Sequence, residues 1–154
     1  MSLGADAIDR AGLVDVREAR QRGDRAALEA AIPRLESADL LAVGALADVA
    51  RVEDVGDDVR IHLRGAPPDL VLLRGTGLDL LRRVAIARIT RGARIAVDFT
   101  DCGFELAQVA LGFGASELVG TAANKRGLPL ENGAKRESEI EGLVTRCRRR
   151  AVLA

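Results

Sequence analysis

Tryptophan and tyrosine are missing from this 154-residue chain, and aromatic residues make up only 2% of it. Phe99, Phe104 and Phe113 are its only rings of that kind, so base-stacking platforms and aromatic cages are nearly excluded. Charge of one sign is lacking too: 23 basic residues balance 23 acidic ones, which leaves no overall field to draw in nucleic acid or an anionic membrane surface. No apolar run approaches the ~20 residues that span a bilayer, and the opening segment, MSLGADAIDR, carries no apolar signal core. Cys102 and Cys147 are the only cysteines and stand far apart, so a disulfide framework is excluded and a reduced cytoplasm is the expected setting. With His62 the only histidine, no convergent set of metal ligands is expected, and no cofactor either.

What the chain does have is aliphatic. Hydrophobic residues are 48% of the total, enough for a core of Leu, Val, Ile and Ala and too many for a disordered chain. The length suits one domain, residues 1–154, without internal repeat, low-complexity tract or linker. Residues 1–51 read as mainly helical. Over 14–32, charges mixed with Leu and Ala suggest one or two short helices, broken at Gly23, capped by Asp24 and stopped or kinked at Pro33. Ser37 is placed to cap a helix over 38–51, whose apolar stripe is Leu40, Leu41, Ala45, Leu46 and Val49.

From residue 58 the pattern changes. The alternation over 59–63 (VRIHL) predicts a half-exposed strand, and 70–73 (LVLL) a strand covered on both faces, with a turn at Gly65-Ala-Pro-Pro68 between them. A helix over 78–91, a strand over 93–99, a polar loop at 98–103, a helix over 104–112 closed by Gly114, and a strand at 118–119 complete a β-α-β-α-β core over 58–121. Residues 121–135 read as a polar loop, 136–150 as a C-terminal helix, and Val152–Leu153 as a final strand or a tail. The fold class is therefore α/β: a parallel sheet with crossover helices and an N-terminal helical layer.

Two stretches carry a family resemblance. In the stretch 35–51 (LESADLLAVGALADVAR), the pattern at 38–51 is similar to the helix before the first barrel strand of the radical S-adenosylmethionine (radical-SAM) enzymes of the futalosine route to menaquinone, and of their relatives in deazaflavin cofactor synthesis. Residues 81–88 resemble a late barrel helix of those enzymes, and 105–121 (ELAQVALGFGASELVGT) their Gln-x-Ala-Leu-x-Phe-Gly-Ala-x-Asp-Leu-x-Gly-Thr stretch. Gln108, Leu111, Phe113, Gly114, Ala115, Leu118, Gly120 and Thr121 fall in matching places. The resemblance implies a partial-barrel-like sheet. It also shows what is gone, because the family holds an iron–sulfur cluster with a Cys-x3-Cys-x2-Cys motif that this chain lacks. Asn124 and Lys125 stand where the family has acidic residues. A shortened barrel leaves strand edges to be covered by the N-terminal helices or by another subunit, which points to a homodimer.

Ligands of α/β domains bind where loops leave the carboxyl ends of strands, and three such loops are visible. Arg74, Gly75, Thr76 and Gly77 either form an anion-binding approach to the next helix or a tight turn. Residues 98–103 place Asp98, Thr100, Asp101 and Cys102 before a helix. Asp98 or Asp101 could hold a ribose or act on a proton and Cys102 could be a thiolate of lowered pKa; the alternative is that Thr100 or Asp101 caps the helix and Cys102 packs. Thr121, Asn124, Lys125 and Arg126 could hold a phosphate or carboxylate, or be a solvated loop. His62, on one strand face with Arg60 and Arg64, reads as a surface or edge residue, and Arg146 with Arg148–Arg150 as a basic tail. The expectation is a non-catalytic binding or partner protein related to the menaquinone-type enzymes. It would hold a nucleoside-like or small anionic ligand at these loops, or assist a full-length radical-SAM enzyme. A small cluster-independent enzyme acting through Asp98, Asp101 or Cys102 is the first alternative, and a structural oligomerisation domain the second.

Overall fold

The computed structural model of the chain describes residues 2–92, 94–121 and 137–154. Helices come first: α1 (Leu3–Arg10), α2 (Val14–Arg22), α3 (Arg25–Ala30), α4 (Ile32–Ser37) and α5 (Leu40–Val55). Their boundaries follow local chemistry. Ser2 caps α1, Gly23 ends α2 in the left-handed conformation at φ 69°, and Asp24 accepts the Ala27 amide to open α3. The cap of α5 is Asp39, which accepts the Ala42 amide at 3.0 Å, and not Ser37. Ser37 closes α4 instead, turning its hydroxyl back to the Pro33 and Arg34 carbonyls. Pro33 lies in the first turn of α4, where its missing N–H costs nothing.

The strands are β1 (Asp58–His62), β2 (Val71–Leu73), β3 (Ile95–Asp98), β4 (Glu117–Val119) and β5 (Arg150–Leu153). Between them lie α6 (Gly77–Arg91), the single turn α7 (Phe99–Cys102), α8 (Phe104–Leu111) and α9 (Glu137–Arg146). All pairings are parallel, and the order across the sheet is β2-β3-β4-β1-β5. The α/β class, the parallel sheet and the N-terminal helical layer are thus present. The strand order departs from chain order, because β1 enters between β4 and β5. Two burial expectations therefore change places. β1, flanked on both sides, is largely buried, whereas the apolar run of β2 is an edge strand whose three residues are each half-buried.

Register sorts the side chains onto two faces, since partners in a parallel ladder point the same way. Val59, Ile61, Ile95, Val97 and Leu118 form one face and pack against Leu80, Leu81 and Val84 of α6, Ala107, Ala110 and Leu111 of α8, and Ile140, Leu143 and Val144 of α9. The opposite face carries Arg60, His62, Leu72, Ala96, Asp98, Glu117 and Val119. A second core lies on the far side of the helices, where Ile8, Leu13, Val16, Leu28 and Leu35 meet Val43, Leu46, Ala85 and Ile89. That core contains no strand residue, so the N-terminal helices cover α5 and α6 and leave the sheet edges β2 and β5 uncovered by them.

The link from β1 to β2 contains no helix. Residues 63–70 leave the carboxyl end of β1, pass the ends of β4 and β3, and finish at the far edge of the sheet. Near its end the link is tied down by Asp69, whose Oδ2 accepts from Arg94 Nη1 at 2.7 Å. The expected basic tail is also built into the fold: Arg149 pairs with Asp48 at 2.9 Å and Arg150 with Asp58, so the run enters β5 and does not trail in solvent. No helix among the described residues is long and apolar enough to cross a membrane.

Candidate functional site

The carboxyl ends of β1, β2, β3 and β4 open onto one depression of about 580 Å³. Its wall comes from residues 63–66 of the β1–β2 link, from Leu72 and Arg74, from Asp98, Thr100 and Asp101, and from Val119, Gly120 and Thr121. Four strand-end segments that span residues 63 to 121 of the chain therefore meet where a parallel sheet presents its ligands.

Asp98 is the fixed point. It ends β3, is 9% exposed, and its Oδ1 accepts the Thr100 amide at 2.9 Å and the Asp101 amide at 3.3 Å. Those two bonds open α7, so the cap here is Asp98 and neither Thr100 nor Asp101. Its other oxygen, Oδ2, has only Arg74 Nη2 at 3.4 Å, from a guanidinium that is 61% exposed. Asp101 Oδ2 accepts the Gly75 amide at 3.3 Å and joins the β2 and β3 loops. Thr100 Oγ1 accepts the Thr121 amide at 3.0 Å and joins the β3 and β4 loops. Gly120 is required at the floor, because a Cβ there would stand 2.3 Å from the Phe99 ring.

Of the sequence candidates, Arg74, Asp98, Thr100, Asp101 and Thr121 are brought together, while Gly75 is tied to them through its amide. Thr76 and Gly77 stand outside the wall and begin α6, and Arg83 fills the space beside Gly75 while donating to the Arg74 carbonyl. The 74–77 loop is thus a braced turn. Asn124, Lys125 and Arg126 lie outside the described residues.

Cys102 departs from the reactive-thiolate reading. It faces a neighbouring depression with Phe104 and Leu106. Burial pushes its thiol up to about 11, helped by the negative charges of Asp101 and Asp98, so it is protonated at neutral pH. The iron–sulfur cluster of the resembling family does not fit either. Cys102 and Cys147 sit on separate elements, there is no third cysteine, and among the described residues no three His, Cys, Asp or Glu side chains converge.

His62 is not a surface residue. It is 6% exposed, and its Nε2 lies 2.7 Å from Glu117 Oε1. Arg94 grips the same carboxylate with two bonds, Nε to Oε2 at 2.8 Å and Nη2 to Oε1 at 2.6 Å. Burial alone would raise the Glu117 pKa, but the bonds from Arg94 and His62 win and hold it below the usual glutamate value. The strand alternation places His62 on the correct face. Its burial comes from a partner 55 residues away, for which the local sequence gives no signal. Arg64 was seen beside His62 in the strand pattern, and only the structure brings it to the depression.

Compared with protein-family models, with curated proteins and with solved structures, the chain matches none.

Proposed function

We propose that this chain is a small-molecule-binding domain whose ligand sits at the carboxyl ends of its parallel strands, and that it descends from a menaquinone-type radical-SAM barrel stripped of its cluster segment. The observation that carries the binding reading is the gathering of four strand-end segments around one 580 Å³ depression with a buried, pre-oriented Asp98 in its wall. A volume of that size suits a metabolite. The descent rests on the residues of 35–51 and 81–121 that resemble the family.

Binding without catalysis is the better reading. Cys102 is protonated and faces elsewhere, and Asp98 and Asp101 each commit one oxygen to a backbone amide. Among the described residues of the wall the one hydroxyl near these carboxylates, that of Thr100, is engaged by the Thr121 amide. Association with a second copy, or with a complete radical-SAM enzyme, belongs to the same proposal; the short edge strands β2 and β5 are the places for it.

Native mass spectrometry of the purified protein, before and after incubation with a metabolite extract, tests the binding reading. The expected result is a defined added mass that disappears in Asp98→Asn. A protein that stays bare with every extract, or an added mass that Asp98→Asn retains, overturns it.

A further inference from the structure

The groups that the depression leaves uncommitted narrow the ligand class. Arg64 makes no hydrogen bond or ion pair among the described residues, and Arg74 has only the long contact to Asp98. Two exposed guanidiniums therefore stand at the rim with their forks open, the arrangement that suits a phosphate or carboxylate. Elsewhere in the wall the chemistry is reversed. Asp98 Oδ2 accepts no hydrogen bond among the described residues, and Asp101 keeps Oδ1 free after accepting the Gly75 amide with Oδ2. The Thr100 hydroxyl receives the Thr121 amide and keeps its own hydrogen to give. Carboxylate acceptors beside a hydroxyl donor match neighbouring hydroxyl groups. None of the three phenylalanines lines the depression, so a nucleobase would find no aromatic stacking partner, and among the described residues the apolar wall is Leu63, Ala66, Leu72 and Val119.

Resting on the binding function proposed above, we infer that the ligand is a phosphorylated polyol: hydroxyls on Asp98, Asp101 and Thr100, and the phosphate between Arg64 and Arg74. The polyol half selects the ligand, because an Asp98 held by two backbone amides cannot turn away from the site. The phosphate half adds affinity through charges that the fold does not use.

Isothermal titration of the full chain with ribose 5-phosphate, ribose, inorganic phosphate and adenosine tests this. Ribose 5-phosphate should bind at least tenfold more tightly than ribose or phosphate alone, and adenosine more weakly still. Asp98→Asn should cost tenfold or more while leaving the circular dichroism and melting curve unchanged, because an asparagine oxygen still caps α7. The double variant Arg64→Ala/Arg74→Ala should bring ribose 5-phosphate down to the level of ribose. Arg60→Ala, another exposed arginine but near the opposite ends of the strands, should change nothing. Equal binding of ribose and ribose 5-phosphate, equal binding of inorganic phosphate and ribose 5-phosphate, or adenosine as the tightest ligand would each overturn the polyol phosphate. So would failure of all four probes to bind. The binding function itself falls only on the mass-spectrometric test, by a protein that stays bare or an added mass that Asp98→Asn retains.

Discussion

Both ends of the sheet carry arginines and carboxylates, but in opposite states. Near the amino ends of β3 and β4, Arg88 is wholly buried and fully used: Nε donates to the Gly114 carbonyl at 2.8 Å, Nη2 to Ser116 Oγ at 2.7 Å and Nη1 to Asp54 Oδ2 at 3.1 Å. Arg94 is spent on Glu117 and Asp69. At the carboxyl ends, Arg64 has no partner among the described residues and Arg74 a single loose one. All but two of the 23 basic residues are arginine; near the amino ends Arg88 and Arg94 use their forks as cross-braces while Arg60 stays exposed there, and at the carboxyl ends Arg64 and Arg74 are not spent on the fold in that way. A satisfied guanidinium is architecture, and an unsatisfied one beside a depression is available for recognition.

The largest test of that contrast is a pair of truncations. Arg88→Ala strips three acceptors at once in the interior and leaves Asp54 to Arg20 alone, and should cost about 3–5 kcal/mol in urea unfolding. Arg74→Ala should stay within about 0.5 kcal/mol of the parent. Equal losses would erase the distinction between the two ends. Next in size is Glu117→Gln, which weakens the buried grip of His62 and Arg94 and should cost about 2 kcal/mol near neutral pH. Its pH dependence has a definite sign. The folded Glu117 pKa lies below the unfolded value, so the carboxylate contributes its full stability above the unfolded value and loses it as pH falls through the folded one. The gap between parent and Glu117→Gln should therefore be constant above the ordinary glutamate range and close on acidification. A gap that widens in acid would reverse the assignment.

How far the sequence reached differs between the same two regions. The loops at the carboxyl ends were legible because each is a local pattern: Gly75 and Gly77 after an apolar run, then Asp98-Phe-Thr-Asp101 between a strand and a helix. Parallel topology then requires such loops to share one end of the sheet. The helices themselves were legible for a similar reason, since apolar spacing is local, but the stripe of α5 was misplaced: of Leu40, Leu41, Ala45, Leu46 and Val49 only Leu46 is buried, and the helix turns Ala42, Val43, Ala47 and Ala50 inward while Leu41 and Val49 are exposed. The braces were not. Glu117 sits in a short apolar strand, Arg94 follows a helix, and His62 is 55 residues from its acceptor, so nothing local marks them as a unit. The insertion of β1 between β4 and β5 was equally hidden, because no hairpin or helix in the 63–70 link announces where it leads. Even the Ser37 cap failed on competition between neighbours: Asp39 lies two residues on, and its carboxylate took the Ala42 amide.

Gly120→Ala sharpens the comparison at intermediate size. Its Cβ would meet the Phe99 ring at 2.3–2.5 Å, and the ring lies in the core beneath the site at 1% exposure. The expected cost is about 1–3 kcal/mol from overpacking, with ligand affinity falling as well because Thr121 is displaced. A fall in stability with no change in binding would show that the floor of the depression and its wall are independent.

The smallest effect concerns Cys102, and it separates binding from catalysis. Its thiol is pushed up to about 11 first by burial and then by Asp101 and Asp98, so the thiolate that alkylating reagents attack is scarce at pH 7.5. Iodoacetamide should label Cys102 several times more slowly than a free cysteine peptide, read by peptide mass spectrometry so that Cys147 is scored apart. Asp101→Asn removes one of the two charges but not the burial, and burial is the larger cause; labelling should therefore rise only modestly. A rate near that of the free peptide in the parent protein would return Cys102 to the candidate nucleophiles and reopen the enzymatic reading. A slow rate that the charge change barely moves removes Cys102 from the candidate nucleophiles and leaves the second oxygens of Asp98 and Asp101, beyond those that cap α7 and tie the loops, for the proposed hydrogen bonds to a ligand.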